Sequence, residues 1–212
     1  MKELLKLYES YSTDFENFWE KYKEFDVHGP ILMSLESYFT QPKKVMIVGQ
    51  ETHGWCQSPS ISEQIGAYKS FNFGETYRST PFWNVIRKIE STMGLEPYSI
   101  AWSNLNRYDQ ACGSPKLPVL VSVEELDHLL KAEVSILKPD VLILFTNHKY
   151  DSRLHKLYPE ALFENIPELP DRHFKRVSHP ELPSVTIRAP HPKTIRMQSW
   201  ERSFIEFIEK IA

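Results

Sequence analysis

The residues of this chain that can do chemistry fall in clusters, each directly after an apolar run. Gln50, Glu51, Thr52 and His53 follow residues 43–49. Asn104, Asn106 and Arg107 follow residues 98–103, and Thr146, Asn147 and His148 follow residues 141–145. His191, Lys193 and Arg196 follow residues 183–188. A carboxylate such as Glu51 can position a water or stabilise a nearby cation. A neutral imidazole such as His191, set between Pro190 and Pro192, can aim an N–H at a developing oxyanion. The amide of Asn104 both donates and accepts hydrogen bonds. Each also has a structural account: Glu51 as a helix cap or ion-pair partner, His191 as a buried turn histidine, Asn104 as a turn amide.

Those runs read as strands. Residues 141–145 (VLILF) are apolar throughout, which suits a central strand covered on both faces. Between the strands lie helical patterns. Leu4, Tyr8, Tyr11, Phe15, Phe18, Tyr22 and Phe25 recur at three- and four-residue steps, and Thr13 with Glu16 would split that segment with a capping box. Thr80 caps and Pro81 opens a helix carrying Phe82, Val85, Ile86, Ile89 and Met93. Ser122 with Glu125 caps another, stopped at residues 138–140. Trp200, Phe204, Phe207, Ile208 and Ile211 mark the last. Residues 50–79 read as one long loop, of a size that is usually functional. Alternating strands and helices predict an α/β fold, a three-layer α/β/α sandwich around a mainly parallel sheet of about four strands. Such sheets bind ligands at the carboxyl ends of their strands, where the reactive clusters stand.

Composition narrows the function class. The chain has 212 residues, with 41% hydrophobic and 25% charged, near the globular average. No apolar run approaches the ~20 residues of a membrane helix. The N-terminal residues carry acids and aromatics where an export signal has an apolar core. Two cysteines, Cys56 and Cys112, make no disulfide framework, so a reducing, cytoplasmic setting is expected. The net charge is −3, yet residues 172–202 hold seven basic and two acidic side chains, the composition of a local anion-binding face or of a solvated strip. Glu51, His53 and Cys56 match no standard zinc spacing, and no metal is expected.

Together the clusters resemble the uracil-DNA glycosylase superfamily. Its first motif, Gly-Gln-Asp-Pro-Tyr-His, is similar to Gly49-Gln50-Glu51-Thr52-His53-Gly54. Its last, His-Pro-Ser-Pro-Leu, is similar to His191-Pro192-Lys193-Thr194-Ile195. Asn104 matches the asparagine ending the second strand, Lys138-Pro139-Asp140 precedes the third, and Pro81-Phe82 resembles the pair of the iron–sulfur branch. That branch's four cluster cysteines are absent, so no cofactor is expected. The motifs span residues 43–196, behind an N-terminal helical segment at 1–42, in one domain over 1–212. The first motif departs from the family: Glu51 stands for aspartate and Thr52-His53 for Pro-Tyr.

The resemblance implies hydrolysis of the bond between a deoxyribose and a flipped-out uracil or related deaminated base, with DNA as the partner and neither a membrane nor an obligate protein partner. Glu51 and His191 are the implied catalytic pair. Gln50, His53, Phe82 and Asn104 would contact the base, with Phe73 as a second stacking ring. Ile195 matches the leucine that fills the vacated stack, and Arg188, Lys193 and Arg196 would hold phosphates. Packing explains Phe82 and Ile195 equally well, and solvated charge the three cations. A non-catalytic nucleic-acid or nucleotide binder on the same fold is the alternative.

Overall fold

The four apolar runs lie side by side as parallel strands in a computed structural model that describes residues 1–71 and 79–212. In chain order, helices α1 (Lys2–Ser10) and α2 (Ser12–Tyr22) precede strands β1 (Val27–His28) and β2 (Val45–Gly49). Helices α3 (Ile61–Phe71) and α4 (Pro81–Thr92) lead to β3 (Ala101–Asn104) and β4 (Asp109–Gln110). Then come α5 (Val119–Glu125), α6 (Asp127–Leu137), β5 (Val141–Leu144) and α7 (Asp151–Leu157). Strands β6 (Leu162–Asn165), β7 (Lys175–Ser178) and β8 (Val185–Arg188) are followed by α8 (Pro192–Met197) and α9 (Glu201–Ile211).

The main sheet has six strands, not four, in the order β3-β2-β5-β8-β7-β6. The expected four form its parallel part, with β2 paired to β3 and β5, and β5 to β8. Their apolar runs are buried because the sheet is covered there by helices. The two added strands are antiparallel. They escape a search for apolar runs because β6, at the edge, and β7 beside it are polar and largely exposed, with only Val177 of β7 buried. A separate two-stranded ribbon pairs β1 with β4.

Helix boundaries follow local chemistry, with three corrections. Thr80 does cap α4, its hydroxyl accepting from the Trp83 N–H at 3.4 Å, with Pro81 in the first turn. The N-terminal break falls at Tyr11, with no cap from Thr13. Ser122 lies inside α5 rather than capping a helix, its hydroxyl 3.0 Å from that of Tyr22. Residues 50–79 are not one loop, because α3 occupies their middle. Ser60 supports its first turn, accepting from the Glu63 N–H at 3.4 Å, and Tyr68 buries its inner face.

A buried polar knot ties the N-terminal helices to the sheet. Arg107 is wholly buried and pairs with Glu133 of α6, which also accepts from Tyr8 of α1 at 2.9 Å and from Ser103 of β3 at 3.1 Å. A buried guanidinium needs such a partner, since an unpaired charge there is severely destabilising. Arg107 therefore leaves the strand-end cluster and serves the core. Among the described residues, no helix is long and apolar enough to cross a membrane.

Candidate functional site

A cavity of about 680 Å³ opens at the carboxyl ends of the parallel strands. Gln50, Glu51 and His53 line it from the loop after β2, Asn104 from the end of β3, Phe82 from α4, and His191 from the start of α8. All six of the implied catalytic and base-contacting residues thus share one cavity. Phe73 lies outside the described residues. Trp55, Phe71, Trp83 and Trp102 add an aromatic wall, Trp102 lying 5.0 Å from Trp83 and 5.5 Å from Phe71 between ring centroids. Three of those rings come from the segment read as a loop or from inside a strand, where aromatic residues look like ordinary core.

Glu51 is held by donors on three sides. Asn106 Nδ2 donates to Oε2 at 2.9 Å, Ser114 Oγ donates to Oε1 at 2.7 Å, and Tyr150 Oη lies 3.4 Å from Oε2. Asn106 is fixed in turn, because Arg153 donates to its Oδ1 at 2.6 Å while pairing with buried Asp127. An amide that must accept from a guanidinium on one side can present only N–H on the other. Glu51 is therefore an oriented, half-buried carboxylate that, among the described residues, caps no helix and makes no ion pair.

His191 faces Phe82, with ring centroids 5.6 Å apart. Its Nδ1 accepts from the Lys193 N–H at 3.1 Å, which assigns the proton to Nε2. Burial pushes its pKa below the ordinary imidazole value; Lys193 and Lys149 push the same way, and Glu51 pushes back. The ring is thus a neutral N–H donor at neutral pH.

Asn104 is buried with its Oδ1 against the Cα of Gly49, so close that a Cβ at that position would collide with it. Glycine is required at 49 by this approach, not by a turn. The Asn104 Nδ2 and the Trp55 Nε1 are both buried without a hydrogen-bond partner among the described residues. Buried donors are rarely left so. Gln50 Nε2 stands 3.5 Å from the carbonyls of Phe145 and Thr146, and the Gln50 carbonyl accepts from the Asn106 N–H at 2.7 Å. The His53 ring is exposed and bonds through Nδ1 to the carbonyl of Cys112.

The loop carrying Glu51 is organised by Asp109, which sequence reasoning missed. Wholly buried, Asp109 accepts from Thr52 Oγ1 at 2.6 Å, from the N–H groups of Gly54, Trp55 and Cys112 at 3.0–3.2 Å, and pairs with His28 Nδ1 at 2.7 Å. Its only signal was a carboxylate five residues beyond a strand end. Asp109, His28 and Cys112 also approach metal-ligand spacing, their ligand atoms all within 4.8 Å of one another. Both Asp109 oxygens are already committed to those donors, so the group reads as a hydrogen-bond hub.

The implied DNA contacts divide. Lys193 is exposed beside the cavity. Arg196 is exposed too but shares Glu201 with Lys88, at 3.0 Å from Glu201 Oε2. Arg188 is a correction: it is buried, paired with Asp151 at 3.1 Å and bonded to the Arg172 carbonyl, so it offers nothing to a phosphate. Ile195 is also a correction. It has no exposed surface, because the turn of α8 rolls it into the core, and a side chain so placed cannot enter a base stack.

Compared with protein-family models and with curated proteins, the chain finds no match in either.

Proposed function

We propose that this chain is a divergent member of the uracil-DNA glycosylase superfamily that hydrolyses the N-glycosidic bond of a flipped-out, deaminated base. The observation that carries the reading is that Glu51 and His191 line one aromatic-walled cavity, the first an oriented carboxylate and the second a neutral N–H donor. The reading includes helices on both sheet faces, as in a three-layer sandwich, and a cytoplasmic setting.

Chemically, the bond from sugar C1′ to the base nitrogen breaks, and its electron pair leaves with the base. Positive charge grows on the sugar and negative charge on base O2. The His191 Nε2–H answers the negative charge as a preorganised donor. Glu51 answers the positive charge and orients the water that adds to C1′; the water's proton passes to the carboxylate, and the departing base is later protonated. Phe82 and the tryptophans provide faces for a planar ring. The unpartnered N–H groups of Asn104 and Trp55 favour an occupant bearing carbonyl oxygens, as deaminated bases do.

The test is single-turnover base release from oligonucleotides carrying one uracil, hypoxanthine or xanthine, read as strand cleavage at the abasic site. His191→Ala is expected to lose about 10²–10³ in rate. Glu51→Gln, which keeps shape and removes charge, is expected to lose a comparable factor. If wild type releases none of these bases, the non-catalytic binder replaces this reading. If both variants match wild type, the two residues have other roles.

A further inference from the structure

Several cations at this end of the sheet have no counter-ion among the described residues. Lys193 follows His191, and Lys149 lies near enough to both His191 and Tyr150 to matter, its Nζ standing 4.5 Å from the Tyr150 ring centroid. Beyond Lys149, Arg172 donates to His148 Nε2 at 3.1 Å, while His148 Nδ1 donates to Asn147 Oδ1 at 2.7 Å. His173 packs between His148 and Trp200, with centroids 5.8 and 4.8 Å away, and its Nδ1 is buried without a partner among the described residues.

Among the described residues, no carboxylate lies within ion-pair distance of Lys149, Arg172 or Lys193. Arg202, Lys210 and Lys131, by contrast, pair with Glu206, Glu168 and Glu181. Asp151, the half-buried acid closest to Lys149 in the chain, is taken by Arg188. Exposed Asp171 adjoins Arg172 in sequence without pairing to it. The local potential registers on His173, whose pKa is lowered by burial and then by His148, Arg172 and Arg188.

The added strands build this feature. Because β7 runs antiparallel to β8, with Lys175 opposite Arg188, the residues just before β7 return to the strand ends that hold His191. Arg188, useless as a phosphate contact itself, fixes the backbone there by donating to the Arg172 carbonyl at 3.0 Å.

We propose that Lys193, Lys149 and Arg172 form a second binding site, a track for consecutive phosphates of a nucleic-acid strand whose base enters the cavity, with His148 holding Arg172 and His173 packed beside His148. The proposal rests on the glycosylase reading for the identity of the strand. It makes a polynucleotide, rather than a free nucleoside, the substrate, since the track extends from the cavity mouth toward β7. Cations without counter-ions are suited to this, because binding a phosphate breaks no existing ion pair.

The experiment measures fluorescence anisotropy of a labelled single-stranded oligonucleotide carrying one uracil against full-length protein, over a range of salt. On single strands each phosphate contact contributes about 0.7 to the slope of log K against log salt. The double variant Lys149→Ala/Arg172→Ala is expected to lower the slope by about 1.4. Both side chains are exposed, so folding should be untouched. The control Arg202→Ala/Lys210→Ala, on α9, should leave the slope as in wild type. An unchanged slope in the first double variant overturns the track, as does wild type that fails to bind at low salt. Base release from the same oligonucleotide is scored separately: binding along the track without release would sink the glycosylase reading and leave the track standing.

Discussion

Asn106 donates to Glu51 at 2.9 Å only because Arg153 occupies the other end of its amide at 2.6 Å. The orientation of the candidate catalytic carboxylate is thus set through a chain from Asp127 in α6, by way of Arg153 in α7, to the loop after β3. Asn106 is a positioning residue in this arrangement.

Removing the Asn106 amide should therefore act on turnover more than on binding. For Asn106→Ala we expect a loss of up to about 10² in single-turnover rate, the scale of a 1 Å misplacement. KM should stay near wild type. Stability should fall by about 1–3 kcal/mol, because Arg153 loses an acceptor in a buried setting. A fall in melting temperature with unchanged rate would make the residue purely structural.

The neutral state of His191 predicts a pH profile. Burial lowers its folded pKa below the ordinary value of 6.5, so the donor form persists as pH falls through that value. The acid limb of the rate should lie below 6.5 and vanish in His191→Ala. The linkage has the matching sign: the unfolded chain takes up this proton first, so the neutral buried ring favours folding above 6.5, and that contribution declines as pH falls toward the lowered value. A limb at or above 6.5 would contradict the assignment.

Gly49→Ala tests the close approach of β2 to β3. The new Cβ would meet Asn104 Oδ1, which has no room to retreat at 1% exposure. We expect a cost of about 1–3 kcal/mol from overpacking and a displaced Asn104. Affinity for a base-bearing oligonucleotide should fall while affinity for an abasic one is retained. Equal affinities for the two in wild type would mean that Asn104 reads no base.

Ile195→Ala separates packing from insertion. A wholly buried isoleucine should cost about 2–5 kcal/mol on truncation. Base release at a temperature where the variant is folded should fall equally, or not at all, on single and double strands. A loss confined to duplex substrate would restore a wedge role to this residue.

Glu90 offers a test outside the site. Burial raises its pKa from 4.5 to about 7, against the pull of the backbone N–H groups at Tyr98, Ser99 and Ile100. The folded protein holds this proton where the unfolded chain has released it, so stability should decline as pH rises from 4.5 to about 7. Glu90→Gln should match wild type below 4.5 and exceed it above about 7, by up to about 3 kcal/mol. Parallel stability curves for the two proteins would show that Glu90 ionises freely.

The sequence by itself determined the parallel strands and the ends at which the chemistry gathers. Long apolar runs such as residues 141–145 have few alternatives to a strand covered on both faces, and strand ends inherit the polar residues that a buried run excludes. Gln50, Glu51, His53, Asn104 and His191 were legible for that reason. Tertiary structure decided which side chains turn toward the cavity and which are consumed elsewhere. Arg107, Arg188 and Ile195 stand in the same local patterns as the site residues, yet Glu133, Asp151 and the core claim them, from positions 26, 37 and many residues distant. The polar strands β6 and β7 were invisible because largely exposed strands carry no apolar run, and with them the return of Arg172 and His173 to the strand ends. Asp109, and the positioning role of Asn106, were hidden for a related reason: a hydrogen-bond hub is defined by partners from distant segments, and a single sequence carries no record of which partners arrive.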